Sequence, residues 1–165
     1  MTPQSEFDMD YRPLADFRYE IRRFLNFSEQ AARGAGIEPQ QHQMLLAIKG
    51  LPAGRRPTIG VIAERLQLRH HSAAELASRL QSKGLLQRRR DAADRREVLL
   101  VLAPPGERLL RELSLPHRAE LRSAGPALLR ALEAVIRGHR STRKSRLKLV
   151  RAQNQNSHRR RKRKL

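Results

Sequence analysis

The side chains best suited to chemistry lie in one short stretch. His71, Ser72, Glu75, Ser78, Arg79 and Ser82 recur three or four residues apart, with His70 just before them. That spacing puts them on one helical face. All are hydrogen-bonding and most are short. A helix seated in a major groove needs such a face, because base edges there display a pattern of donors and acceptors that separates all four base pairs. A histidine can reach guanine N7 or a phosphate, Glu75 can accept from a cytosine amino group, and Arg79 suits guanine or phosphate. The opposite face of the same segment is an apolar stripe of Ala73, Leu76, Ala77 and Leu80. A merely solvated helix face has the same polar pattern, so the neighbouring elements decide between the two readings.

Those neighbours favour nucleic acid. Thr58 is a good N-cap for a preceding helix whose Ile59, Ile62, Ala63 and Leu66 recur at helical spacing. The break at 67–69 is short, so the two helices form a helix-turn-helix pattern, and Gly84 ends the second. Residues 85–90 and 97–102 read as strands, joined by the charged loop 91–96. This hairpin is a basic wing. Asp94, Arg95 and Arg96 fall at or near its tip. Arg88, Arg89 and Arg90 are consecutive on a strand, so their side chains alternate; those on one face, Arg88 and Arg90, are expected to reach phosphates. Arg55, Arg56, Arg65 and Arg69 flank the helices as candidate phosphate contacts, which position a protein without specifying sequence.

The outer elements are helical. From Tyr11 to about Ala35 the residues Leu14, Phe17, Ile21, Phe24, Leu25 and Ser28 form one stripe, ended by Gly34 and Gly36. A second helix starts near Pro39 and ends at Gly50. Pro104, Pro105 and Gly106 break the second strand, and a helix follows from about Glu107. Pro116 is expected to kink or interrupt it. A last helix spans about 126–138, with Leu128, Leu132, Val135 and Ile136 apolar. Apolar stripes on terminal helices suit burial against a second copy. The expected fold is mainly α with a small β-wing, a winged helix-turn-helix that dimerises through its N- and C-terminal helices. Its parts are a flexible N-terminus at 1–10, a dimerisation helix at 11–36, a DNA-binding domain at 37–103, dimerisation helices at 104–140 and a basic, disordered tail at 141–165.

Composition narrows the function classes. The chain has 165 residues and a net charge of +19, from 35 Lys and Arg against 16 Asp and Glu. Residues 141–165 carry 11 of the basic residues and no acidic one, leaving 24 basic against 16 acidic elsewhere. Polyanions are therefore the expected partners, and the tail supplies the extreme. There is no cysteine, which excludes disulfides, thiolate metal sites and cysteine redox switches. The six histidines have no His-x-x-x-His spacing, so no metal or other cofactor is expected. His42 reads as structural or as part of a ligand pocket. No phosphate-binding glycine loop or nucleophile elbow points to an enzyme. No run of 18 apolar residues and no signal-like N-terminus occur, so a cytoplasmic, nucleoid-associated protein is expected, without a membrane partner.

The order of the pieces resembles the MarR family of bacterial transcriptional regulators over roughly residues 11–138. The resemblance is carried by Ile62–Leu66 before the reading helix, Arg79–Leu86 at the helix-to-strand junction, 91–96 as the wing signature, Leu102–Gly106 at the next helix and Ile37–His42 at the second helix. Ala103 departs from the family's usual threonine, a loss of about 1 kcal/mol of helix capping. The basic tail is a second departure. The resemblance implies a homodimeric regulator, a repressor, bound to a pseudo-palindrome in double-stranded DNA. It implies that a wing arginine, with Arg96 preferred, enters the minor groove steadied by Asp94. It further implies a small anionic or phenolic ligand that alters wing spacing. The rival expectation is a nonspecific nucleic-acid-binding or nucleoid-associated protein driven by the tail.

Overall fold

The computed structural model describes residues 10–90 and 97–162, with side chains at 10–90 and 97–137. The elements follow the chain as α1 (Arg12–Gly34), α2 (Pro39–Lys49), α3 (Ile59–Leu66), α4 (His70–Ser82), β1 (Leu86–Arg90), β2 (Val98–Leu102) and α5 (Pro104–Lys162). The loop expected at 91–96, and with it Asp94, Arg95 and Arg96, lies outside the described residues.

Local chemistry sets most of these boundaries. Pro39 opens α2, where Glu38 and Gln41 form a reciprocal capping box. Thr58 opens α3 by accepting the Val61 N–H on its hydroxyl oxygen at 3.4 Å. Three helices end on the same device. The amides of Ile37, Leu68 and Leu85 donate to the carbonyls of Ala32, Ala63 and Leu80, five residues back. Each needs a left-handed residue just before the donor. Gly36 (φ 77°) and Gly84 (φ 68°) serve after α1 and α4, but after α3 the position is Gln67 (φ 56°). In each case the donor residue is aliphatic and joins or packs against the core cluster.

The chain divides into two compact units, Phe24–Leu121 and Met1–Arg23 with Arg122–Leu165. The first holds the core. Met44, Leu45, Ile62, Leu80, Leu86 and Leu100 are its largest fully buried side chains. Each such burial is worth about 1.5–3 kcal/mol. The apolar stripes read from the sequence for α3 and α4 supply Ile62, Ala63, Ala73, Leu76, Ala77 and Leu80 to it. The strands pair antiparallel with Leu86 opposite Leu102, Arg88 opposite Leu100 and Arg90 opposite Val98. The hairpin is anchored by the Leu100 amide, which donates to Pro57 O at 2.8 Å, and by a Thr58–Leu99 bridge.

Helix α5 differs from the expected pattern. It is one helix of 59 residues, without the break predicted at Pro116 and without a separate helix starting at 126. The Pro-Pro-Gly segment starts this helix rather than merely ending β2. Proline suits a first helical turn, where its missing N–H has no partner to lose. Pro116 has no N–H for Glu112 O, and yet the helix runs on; nearby, the Ser114 hydroxyl donates to Leu110 O at 2.7 Å and His117 Nδ1 bonds Leu113 O. The helix also continues through residues 141–162, expected to be disordered. Beyond Gly138 that stretch has no glycine or proline and is rich in arginine, lysine and glutamine, all good helix formers.

In the second unit, Leu14 is exposed and Phe17 and Ile21 are half-buried. Leu128 and Val135 are half-buried, while Leu129, Leu132 and Ile136 are exposed.

Candidate nucleic-acid interface

Helix α4 is held by one face only. Ala73, Leu76, Ala77 and Leu80 lie in the core, so the geometry of a helix leaves the other side to solvent. His70, His71, Glu75, Ser78 and Arg79 are exposed there, with Ser72 half-buried at its margin. The sequence reading of this face is thus matched by its placement. Two details are new. Arg79 Nη2 donates to Glu75 Oε1 at 2.8 Å, so the two candidate base readers constrain each other. Such an exposed pair adds little stability, but it narrows the positions from which the guanidinium can approach a base. The Ser82 hydroxyl donates to Arg79 O at 2.8 Å, which spends its one proton inside the helix.

Several arginines expected to clamp phosphates have partners within the fold. Arg55 Nη2 reaches Glu64 at 3.4 Å, Arg56 Nη1 lies 2.9 Å from Glu97, and Arg65 Nη2 donates to Gly50 O at 3.3 Å. Arg69 is exposed at the N-cap of α4. The wing arginines divide by strand face. Arg88 and Arg90 share the face of buried Leu86, whereas Arg89 points the other way and donates to Gln87 Oε1 at 3.2 Å. Arg88 Nη2 donates to Ala74 O at 3.1 Å and to Ser78 Oγ at 3.0 Å, both on α4. Sequence reasoning missed these pairings, because only the packed hairpin brings β1 beside α4.

Residues 35–97 match the sequence profile of the MarR family. This segment is similar to the winged helix of that family. A regulator of Bacillus subtilis (strain 168), the uncharacterized HTH-type transcriptional regulator YsmB, is 35% identical over 65 residues, covering 39% of this chain and 44% of that protein. The chain thus matches less than half the length of that curated relative. AbsC, a MarR family transcriptional regulator from Streptomyces coelicolor, aligns with a TM-score of 0.62 at 17% identity, covering 84% of this chain and 99% of AbsC. A Staphylococcus aureus MepR mutant bound to an oligodeoxyribonucleotide aligns with a TM-score of 0.55 at 20% identity, covering 85% and 99%. These likenesses show the fold of the MarR regulators, mostly helical with a two-stranded wing.

The unit Phe24–Leu121 also holds a buried polar cluster. His42 on α2 is buried and Ser28 on α1 nearly so. His117 on α5 lies between them, with its ring centroid 4.8 Å from that of His42 and 5.4 Å from that of Phe27. Leu113 O can only accept, so the His117 Nδ1 facing it carries the proton. Its Nε2 lies 2.8 Å from the Ser28 hydroxyl oxygen. Burial, and secondly the charge of His117, push the pKa of His42 below its ordinary value. Among the described residues no group of three or more His, Asp or Glu side chains could hold a metal ion, and no helix is long and apolar enough to cross a membrane.

Proposed function

We propose that this chain is a sequence-specific, DNA-binding transcriptional repressor that acts as a homodimer on a pseudo-palindromic operator. The observation that carries the reading is the outward face of α4. It is polar, has no duty in the core, and stands beside a basic hairpin in a segment similar to the MarR family. Helix α4 enters a major groove with His70, His71, Ser72, Glu75 and Arg79 toward base edges and phosphates. Arg90 and the wing residues Asp94, Arg95 and Arg96 serve the flanking minor groove, with Arg96 inserted, because a narrow groove concentrates negative potential. Leu14, Phe17, Ile21, Leu128, Leu132 and Val135 form the dimer interface. This pairing sets two α4 helices about 34 Å apart, one turn of B-DNA. An anionic or phenolic small molecule that favours one wing spacing releases the operator; it acts only through its different affinity for the two spacings.

Selection of bound duplexes from a random pool tests specificity, palindromy and spacing together. Gel shifts on the selected duplex then test the contacts. Arg79→Ala is expected to weaken binding by about 5- to 150-fold, the value of one good base contact of about 1–3 kcal/mol. Arg96→Ala should lose affinity as well. If both variants bind like the wild type, the groove assignment is wrong. The tail supports a second reading, nonspecific binding, through its 11 basic residues. Removing residues 141–165 separates the two. Loss of all binding favours the tail, whereas retained specific binding with a shallower salt dependence favours the repressor.

A further inference from the structure

Arg88 is exposed, yet it is bonded within the fold. On β1 it shares the face of Leu86, which is 1% exposed, and it pairs across the hairpin with Leu100, which is 0% exposed. Its side chain stays exposed and has acceptors within reach. It finds two on one turn of α4, Ala74 O at 3.1 Å and Ser78 Oγ at 3.0 Å. The Ser78 hydroxyl completes the arrangement by donating its own proton to Ala74 O at 3.0 Å. A hydroxyl has one proton to give and two lone pairs to offer. Here the proton is spent on the helix and one lone pair is taken by Arg88. Ser78 is therefore poorly placed to read a base, although it stands on the outward face of α4.

We infer that Arg88 is a positioning residue: with Ser78 as its seat, it struts the wing against the reading helix and so fixes the angle between the two elements that enter neighbouring grooves. The inference rests on the DNA-binding reading for its purpose, but the strut itself is a property of the free protein. The other strand is already tied down by the Leu100–Pro57 bond, the Thr58–Leu99 bridge and the Arg56–Glu97 pair. Arg88 supplies the matching tie for β1. It differs from a phosphate contact in what it changes. A lost phosphate contact weakens binding to every sequence alike and lowers the salt slope by about 0.9. A lost strut misaligns two readers, so it weakens the matched duplex and leaves scrambled DNA alone.

The test uses the full chain with Ser78→Ala, Arg88→Ala, the double variant and Ser78→Thr, which keeps the hydroxyl. The probes are the duplex selected by the wild type and a scrambled duplex of equal length. Each single variant should bind the selected duplex about 3- to 10-fold more weakly, the scale of one net hydrogen bond. The double variant should be no worse than Arg88→Ala alone, since Ser78 acts through Arg88. Ser78→Thr should bind like the wild type. Scrambled-duplex affinity and salt slope should stay unchanged. In the free protein, amide exchange in β1 and β2 should rise by a similar factor in both alanine variants. Wild-type affinity in Ser78→Ala, together with a weaker and salt-flattened Arg88→Ala on both duplexes, would overturn the strut in favour of a phosphate contact. Unchanged hairpin exchange in both alanine variants would overturn it whatever the DNA result. If the wild type binds no duplex, the DNA reading fails, and the exchange result alone decides the strut.

Discussion

Replacing Gly106 by alanine sets two physical effects against each other. Gly106 lies in the first turn of α5 and is buried. Helix propensity alone favours alanine over glycine by about 0.5–1 kcal/mol. The packing opposes it. A Cβ at this position would stand 3.0 Å from the Leu85 carbonyl carbon and closer still to its oxygen. Backbone is in the way, so no flexible side chain can swing aside. Overpacking of this kind costs about 1–3 kcal/mol. The same Leu85 carbonyl accepts the Ala103 N–H at 3.1 Å, and moving it endangers a bond worth about 1 kcal/mol. The balance is a loss of about 2 kcal/mol, or about 4–8 °C in Tm for a chain of this size. Gly60→Ala is the control. Gly60 is exposed in α3 and nothing lies within 4 Å of its would-be Cβ. There the propensity gain is unopposed, and stability should rise by up to about 1 kcal/mol. Chemical denaturation followed by circular dichroism, at one fixed protein concentration, reads both variants. A Gly106→Ala protein as stable as the wild type would refute the claim that α5 and the start of β1 are in backbone contact.

Further outcomes follow from single groups. Thr58→Ala removes the cap of α3; the 3.4 Å bond is long, so the loss should be only about 0.5–1 kcal/mol in the same denaturation assay. His42 gives stability a pH dependence. Its pKa is lowered in the fold from the ordinary value of 6.5, so the unfolded chain binds the proton more readily. Its contribution is complete above pH 6.5 and is lost as pH falls toward the depressed folded value. His42→Gln should therefore flatten the stability profile between about pH 7 and 5, and an equally steep profile in that variant would assign the titration elsewhere. Measured dissociation constants for the Arg79, Arg96, Ser78 and Arg88 variants complete the set.

Much of this protein is written in local patterns. The stripes Ile59–Leu66 and Ala73–Leu80, the Thr58 cap and the left-handed Gly36 and Gly84 each act within a few residues, so spacing alone reveals the helices they shape. The same logic exposes the outward face of α4, because burying one face of a helix leaves the other to water. Local rules misplace α5, where Pro116 signals a break and the helix runs through it. Only tertiary structure decides partners distant in sequence. Arg88 was legible as a basic strand residue, and its seat on Ala74 and Ser78 was not. His117 meets Ser28 and His42 across three helices, and Gly106 meets Leu85 across the hairpin. Such contacts depend on how the elements are stacked, and hydrophobic spacing, being nondirectional, records which face is buried but not what it is buried against.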